Sequence, residues 1–308
     1  MQTLAEIRAL LDQRGLSPRH RLGQNFLIDH NLIAKLVDTS GVGAGSVVLE
    51  VGPGTGTLTD ELLARGCRVV ACELDAGLAA LLRERYAHVL GGAERSILGP
   101  AMIHGMREAE AGGTHASPDS GSGRLQFIEG DCLADKHTLS PPIVEALGDS
   151  TFSLVANLPY GAATPLIMSL LIDHPRCTSM FITVQREVAD RLRAAPGTRD
   201  YGPLAVLASS LAHISLIATL PPECFWPRPE VTSAMVGLTR RTNPLTEDAR
   251  GLAVCCKRLF GHRRKQLGSI LGREVAWPSG IQPTARAESL EVDQIIALCR
   301  TLERDYRG

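Results

Sequence analysis

Aromatic side chains are scarce: two Trp, four Tyr and six Phe in 308 residues, 4% of the chain. The few that fall inside motifs therefore carry more information than usual. Metal-ligand spacings are missing as well. None of the eight cysteines (Cys67, Cys72, Cys132, Cys177, Cys224, Cys255, Cys256 and Cys299) forms a CxxC pair, and the nine histidines show no HxxxH or HExxH spacing. That excludes the usual zinc patterns, and the sequence predicts no metal site. The cysteines read as reduced, mostly buried thiols and not as a disulfide frame. No run of about 18 apolar residues occurs, and the N-terminus has no long apolar core of a signal peptide. The expectation is a cytoplasmic protein without a membrane contact. Charge of one sign is lacking too: 32 basic against 33 acidic residues leave a net charge of −1. Any surface for a polyanion must come from local clustering. What remains, 44% hydrophobic and 21% charged residues, suits a folded core, and the length suits about two domains.

The first half reads as an α/β crossover. An amphipathic helix spans 2–13, with Leu4, Ile7, Leu10 and Leu11 on one face. A basic stretch follows, Arg19-His20-Arg21-Leu22-Gly23-Gln24-Asn25-Phe26-Leu27. It reads either as a surface loop with an apolar anchor or as a lid whose cations face phosphate while Asn25 and Leu27 touch a small ligand. A helix spans 30–38 and a buried strand 46–51. Gly52-Pro53-Gly54-Thr55-Gly56 comes at once, and a helical period begins at Leu58 with Gly66 as its C-terminal stop. The second strand, 68–72, ends in Glu73-Leu74-Asp75. Glu73 follows Gly54 by 19 residues, where nucleotide-binding folds place the acid that holds a ribose. Loop and acid alone fit NAD or another adenosine cofactor. The GxGxG spacing and acidic Glu50 just ahead of it disfavour a pyrophosphate and favour a cation, which points to S-adenosylmethionine.

After a helix at 77–87, residues 91–124 contain eight Gly and four Ser and read as a flexible insertion. A third strand, 125–128, leads to Glu129-Gly130-Asp131, whose carboxylate suits an adenine amine. The fourth strand, Phe152 to Ala156, ends in Asn157-Leu158-Pro159-Tyr160. Asn157 can accept a hydrogen bond from an exocyclic amine. Pro159 holds Leu158 extended, which aims the Leu158 or Pro159 carbonyl at the same amine. Tyr160 offers a face for a flat heterocycle, an interaction worth about 1–3 kcal/mol per base. A strand followed by an ordinary proline turn would share these features. Further on come a helix at 162–173, a strand at 179–184, helices at 185–192 and 201–212, and an antiparallel strand pair at 213–220 and 232–239. Between the last two lies Pro221 to Pro229, a stiff loop carrying Phe225 and Trp226. It is either a packed proline loop or a place from which Phe225 meets a target base opposite Tyr160. Past 242–246 only helical periods occur. From 240 to 274 there are nine Lys/Arg against three acids, densest at His262-Arg263-Arg264-Lys265, which favours polyanion binding.

Taken together, these motifs resemble the small-subunit ribosomal RNA adenine N6,N6-dimethyltransferase family. The matching stretches are RLGQNFL at 21–27, LEVGPGTGTLT at 49–59, ELD at 73–75, EGD at 129–131 and NLPY at 157–160. They continue with QREVADRL at 185–192, YGPLAV at 201–206, FWPRPEVTSA at 225–234, FGHRRKQLGSIL at 260–271 and RAESL at 286–290. The resemblance runs through nearly the whole chain, in order. Erythromycin-resistance methyltransferases share its first half, but the glycine of GQNFL and the FGHRRK stretch favour the ribosome-assembly branch. Two departures are the 91–124 insertion and Gly161 where the family often has Asn.

The resemblance implies a Rossmann-like, S-adenosylmethionine-dependent methyltransferase with a seven-stranded, mostly parallel sheet and a small all-α C-terminal domain. The expected division is 1–244, with an N-terminal lid, and 245–308 for RNA binding. It implies dimethylation of N6 on two adjacent adenines in the 3′-terminal hairpin loop of small-subunit ribosomal RNA, within an immature small subunit, by a monomer. Carried over by position, cofactor contacts are Asn25, Leu27, Gly52, Glu73, Asp131 and Asn157. The catalytic set is Asn157, Leu158, Pro159, Tyr160 and Phe225, and the phosphate-binding set is Arg19, Arg21, Arg263, Arg264 and Lys265. Two other readings remain: an NAD-dependent dehydrogenase, and a non-catalytic RNA-binding assembly factor on the same scaffold.

Overall fold

A computed structural model describes residues 2–89, 124–272 and 275–307. The proposed insertion at 91–124 lies outside the described residues except for Arg124. The central feature is a seven-stranded sheet. Its strands are β2 (Val47–Val51), β3 (Arg68–Glu73), β4 (Arg124–Glu129), β5 (Phe152–Asn157), β6 (Cys177–Gln185), β7 (Ala212–Leu220) and β9 (Ser233–Arg240). They lie side by side in the order β4-β3-β2-β5-β6-β9-β7. Strands β4 to β6 in this order pair in parallel, and β9 runs antiparallel to both of its neighbours. The apolar runs read from the sequence follow from this arrangement, because a parallel sheet is covered on both faces.

One face is packed by α1 (Leu4–Asp12), α2 (His30–Ser40), α3 (Thr57–Ala64) and α4 (Ala76–Arg85). The other carries α5 (Pro141–Leu147), α6 (Ala163–Asp173), α7 (Arg186–Leu192) and α8 (Pro203–Leu211). Helix α5 has no counterpart in the sequence reading. It is seven residues long and begins Pro-Pro, which hides a helical period. Helix starts are chemically explicit elsewhere. Asp29 and Asp75 cap α2 and α4, each accepting two backbone N–H groups, and Thr3 and Glu6 form a reciprocal box at α1.

The strand order reverses direction between β2 and β5, and in open α/β sheets that is where ligands bind. The glycine loop leaves β2 and the Asn157–Tyr160 stretch leaves β5, so the topology brings together two motifs that lie far apart in the chain.

A short antiparallel pair escaped sequence reading. Strand β1 (Phe26–Leu27) pairs with β8 (Phe225–Trp226), with Phe26 opposite Trp226 and Leu27 opposite Phe225. The Phe26 and Trp226 rings stack at 6.2 Å, and the Arg8 guanidinium lies 5.2 Å above Trp226. The proline-rich loop is thus the brace that holds the N-terminal lid.

Helices α9 (Ala249–Phe260), α10 (Leu267–Leu271) and α11 (Val292–Arg307) form a third core with one side of α8. Here the expectation of wholly reduced cysteines fails. Cys255 and Cys299 are joined by a disulfide between α9 and α11, with Cα atoms 5.8 Å apart. The packing of two helices places them within bridging range, and nothing in their spacing along the chain announces it. The other six cysteines are free, and all but Cys224 are buried.

Candidate active site

A cleft of about 760 Å³ opens over the carboxyl ends of β2, β3, β4 and β5. It is in the size range of small-ligand sites. One wall is the lid, Arg21 to Phe26. The floor is Val51, Gly52 and Gly54, with Glu73 beside them. Gly130 to Lys136 form the far end, and Asn157 to Ala162 the other wall. Of the six cofactor positions carried over from the resemblance, Asn25, Gly52, Glu73, Asp131 and Asn157 line this cleft. Leu27 instead lines a smaller chamber next to it, which it shares with Gly52 and Asn157.

The glycines of the loop are dictated by crowding. Gly52 and Gly54 have φ of +71° and +63°. A Cβ on Gly54 would lie 2.8 Å from the Phe26 ring, and one on Gly52 would lie 3.1 Å from the Pro159 ring. The loop therefore sits directly between the lid and the Asn157–Tyr160 stretch, leaving its backbone open to a ligand.

Glu73 is 5% exposed. One carboxylate oxygen accepts the Gly54 N–H at 3.1 Å, and the other accepts the Asp75 N–H at 2.9 Å. Burial still outweighs these bonds and raises its pKa. The carboxylate is fixed at the tip of β3, with lone pairs left to accept further hydrogen bonds. Asp131 accepts the Leu133 N–H, which holds the turn at the tip of β4.

Asn157 is anchored by the lid. Its Nδ2 donates to the Asn25 carbonyl at 2.9 Å. Flipping the amide would set two oxygens against each other, so the bond fixes the orientation and leaves Oδ1 as the acceptor. The Leu158 N–H donates to the Thr183 carbonyl at 3.1 Å, and the Pro159 carbonyl accepts from Ala162 at 3.0 Å. Of the two carbonyls considered from sequence, Pro159 is thus committed to its own turn, while the Leu158 carbonyl accepts no hydrogen bond among the described residues. Tyr160 is half-buried, with its hydroxyl 3.2 Å from Ser233 Oγ, and its ring lines the cleft.

Phe225 requires correction. It is 4% exposed, packed into the core under the lid, and paired with Leu27. It offers no face to the cleft, because the same β1–β8 pairing that braces the lid turns it inward. The aromatic ring that lines the cleft with Tyr160 is Phe26.

The basic residues also divide. Arg19 pairs with Asp75 at 3.2 Å, and Arg263 pairs with Glu288 at 2.6 Å and donates to the Thr198 carbonyl. Both are committed to holding structure. Arg21, Arg264 and Lys265 are exposed and have no ion-pair partner among the described residues. Sequence reading missed Gln24 and Asp75. Gln24 Nε2 donates to Asp75 at 3.1 Å while its Oε1 accepts the Arg19 N–H at 2.7 Å, so the cap of α4 doubles as the latch of the lid. Their only signal was membership of the quoted RLGQNFL and ELD stretches.

The charge argument for Glu50 changes as well. Glu50 is 1% exposed and faces away from the main cleft, accepting the Thr59 hydroxyl at 2.7 Å. Burial pushes its pKa up to about 8, which favours the protonated carboxyl over the carboxylate.

The described residues contain no cluster of His, Cys, Asp and Glu that could hold a metal ion, and no helix long and apolar enough to cross a membrane. The arrangement fits a nucleoside attached to a cationic amino-acid tail. Its lining combines the glycine loop, the carboxylates of Glu73 and Asp131 and the amides of Asn25 and Asn157, with exposed Arg21 and Lys136 as its cations.

Comparison with known proteins agrees. A family model described as ribosomal RNA adenine dimethylase matches residues 15–95 and 114–304, and its break at 96–113 falls within the Gly- and Ser-rich stretch. Ribosomal RNA small subunit methyltransferase A of Moorella thermoacetica is 34% identical over 96% of each chain. That of Mesorhizobium japonicum is 35% identical over 97% of this chain and 98% of its own. Among solved structures, a dimethyladenosine transferase from Plasmodium falciparum superposes with a TM-score of 0.65 at 18% identity, covering 90% of this chain and 97% of that one. The 23S rRNA methyltransferase ErmE gives 0.60 at 23%, covering 91% and 100%. These two support the methyltransferase fold. On the sequence matches along nearly its full length, the chain belongs to the ribosomal RNA adenine dimethylase family.

Proposed function

We infer that this chain is an S-adenosylmethionine-dependent enzyme that dimethylates adenine N6 in ribosomal RNA. Family membership gives the reaction class. The observation that carries the chemistry is the pinned Asn157 amide, which leaves Oδ1 as an acceptor, followed by a Leu158 carbonyl with no partner among the described residues, in a cleft lined by Tyr160.

S-adenosylmethionine, when bound, supplies a methyl group on a positively charged sulfur that departs as a neutral thioether. Gly52 and Gly54 would give it backbone-close seating, Glu73 would hold the ribose, Asp131 would take the adenine amine, and Asn25 and Leu27 would close the amino-acid end. The N6 amine of the target adenine is a poor nucleophile because its lone pair is delocalised into the ring. Asn157 Oδ1 and the Leu158 carbonyl each accept one of its hydrogens, which draws the nitrogen toward tetrahedral geometry and localises the lone pair. This is orientation and electrostatic stabilisation, with no strong base; the nitrogen that gains the methyl is made cationic and acidic, and its surplus proton passes to water. Tyr160 holds the base out of its stack, as chemistry on a base requires. Arg21 at the cleft, and Arg264 and Lys265 on the C-terminal segment, bind RNA phosphates.

The finer reading is two adjacent adenines in the 3′-terminal hairpin loop, on an immature small subunit, by a cytoplasmic monomer divided near 244/245. Labelled S-adenosylmethionine with under-methylated small subunits tests this directly. Label is expected at neighbouring adenines, and Asn157→Ala is expected to lower turnover at least ~100-fold, the effect of deleting one transition-state acceptor, with an unchanged fold by circular dichroism. Near-normal turnover in that variant removes the assigned role. Calorimetric titration with NADH in place of S-adenosylmethionine separates the dehydrogenase reading.

A further inference from the structure

Behind the glycine loop lies a second chamber of about 40 Å³, separate from the main cleft. Glu50, Gly52, Thr55, Thr57 and Asn157 are among its walls, and among the described residues Glu50 is the sole ionisable side chain lining it. Gly52, Asn157 and the Phe26 ring line both spaces, so they form the partition between the cleft and Glu50, with Gly52 and Asn157 as its polar part. The chamber is large enough for ordered water. On its remaining sides Leu27, Ile33, Leu36 and Leu58 supply only apolar surface.

Among the described residues no cation is aimed at Glu50, and its one hydrogen bond comes from Thr59. The titratable groups around it are Asp60 on α3, Glu73 at the tip of β3 and Tyr86 after α4. Arg85 is spent on Asp60 and on the Thr55 carbonyl. Asp60 and Glu73 both disfavour a charge on Glu50, and desolvation disfavours it more. A buried acid with two like charges near it and no cationic partner is poised to ionise only when a positive charge arrives from outside.

We propose that Glu50 reads the charge of the methyl donor through the Gly52–Asn157 partition, releasing its proton when the cationic donor occupies the cleft and retaining more of it when the product does. This rests on the donor assignment made above. The donor carries a positive sulfur and a positive amino group, whereas the product keeps only the amino group. Proton release thus couples to the charge that methyl transfer removes, and it favours the donor over the spent product. The balance is simple: the Glu50 carboxyl becomes carboxylate, the proton goes to bulk buffer, and the donor's positive charge compensates. Because burial raises the Glu50 pKa above the ordinary carboxylate range, donor binding below that pKa releases up to one proton, and donor affinity climbs with pH by up to about tenfold per unit.

Isothermal titration in phosphate and in Tris at pH 7 reads the proton count. For the wild type, S-adenosylmethionine is expected to release nearly one proton more than Glu50→Gln does, and S-adenosylhomocysteine clearly less than one. The Gln variant keeps any titration of the ligand's own amino group, so the difference belongs to Glu50. The donor-to-product affinity ratio should shrink about tenfold in Glu50→Gln. Equal proton counts in wild type and variant overturn the proposal. Should the variant not fold, infrared difference spectra of the wild type serve. The band of a buried protonated carboxyl must disappear on adding donor, and its persistence is equally fatal. A donor that fails to bind the wild type at all would instead sink the cofactor assignment.

Discussion

Glu50 is held against its chemistry, and its cost is visible in the folded state alone. Its folded-state pKa, about 8, stands above the ordinary carboxylate value. Between these values the folded chain binds more protons than the unfolded one, so Glu50 makes stability fall as pH rises from about 5 to 8. Glu50→Gln should remove that part of the slope. Urea midpoints of wild type and variant, compared at pH 5 and pH 8, are expected to diverge toward a more stable variant at pH 8. Gly54 is held by shape. With φ at +63° and the Phe26 ring 2.8 Å from a built Cβ, Gly54→Ala should lower stability by about 1–3 kcal/mol. Because the displaced ring belongs to the lid, donor affinity should drop with it. Differential scanning calorimetry and donor titration measure the two effects. Thr183, opposite Asn157 on β6, has a buried hydroxyl with no partner among the described residues. The structure gives it no role through its side chain, while its carbonyl fixes Leu158.

At the scale of elements, two motifs turned out to be braces. The lid is latched by Gln24 and Arg19 to Asp75 and clamped by β8, which explains why the proline-rich loop needs its aromatics. The segment after α9 is likewise tied down through Arg263 to Glu288. The phosphate binding proposed for this segment therefore rests on Arg264 and Lys265, which are exposed. Replacing both by Glu is expected to weaken RNA binding and flatten its salt dependence, by roughly one unit of slope for each phosphate no longer neutralised. Changing Arg263 would instead destabilise the C-terminal core. Filter binding across a salt series, with thermal melts alongside, distinguishes the two. An unchanged slope in the double variant would place the RNA surface elsewhere.

At the scale of the molecule, the C-terminal helices are continuous with the rest through α8. Tyr201 is 1% exposed, and its hydroxyl donates to the Leu290 carbonyl at 3.0 Å. The Gly197 N–H reaches the Glu288 carbonyl at 2.7 Å. The Cys255–Cys299 disulfide adds a covalent tie across 44 residues. On the chain-entropy account a loop of that length is worth up to about 4 kcal/mol. Unfolded, unreduced protein should titrate six thiols of the eight cysteines present. Added reductant should lower the melting temperature, and Cys299→Ser should reproduce the shift. Eight titratable thiols would show that the two helices pack without the bond.

Local chemistry was enough to place most of the elements. Period-2 and period-3.6 patterns found β2 to β7 and β9 and most helices, because each buries its own stripe of side chains. The glycine loop, Glu73, Asp131 and the Asn157–Tyr160 stretch, which line one cleft, stood out in the sequence because backbone freedom, charge and amide chemistry are properties of single residues at strand ends. Three things needed the tertiary fold. The inward turn of Phe225 depends on a partner strand near the other end of the chain, in register with Leu27. The disulfide depends on α9 packing against α11. The raised pKa of Glu50 depends on how much of the protein surrounds it, and no neighbour in sequence reveals that. Bonding geometry and desolvation are set by what lies across space, so they appear only when the chain has closed on itself.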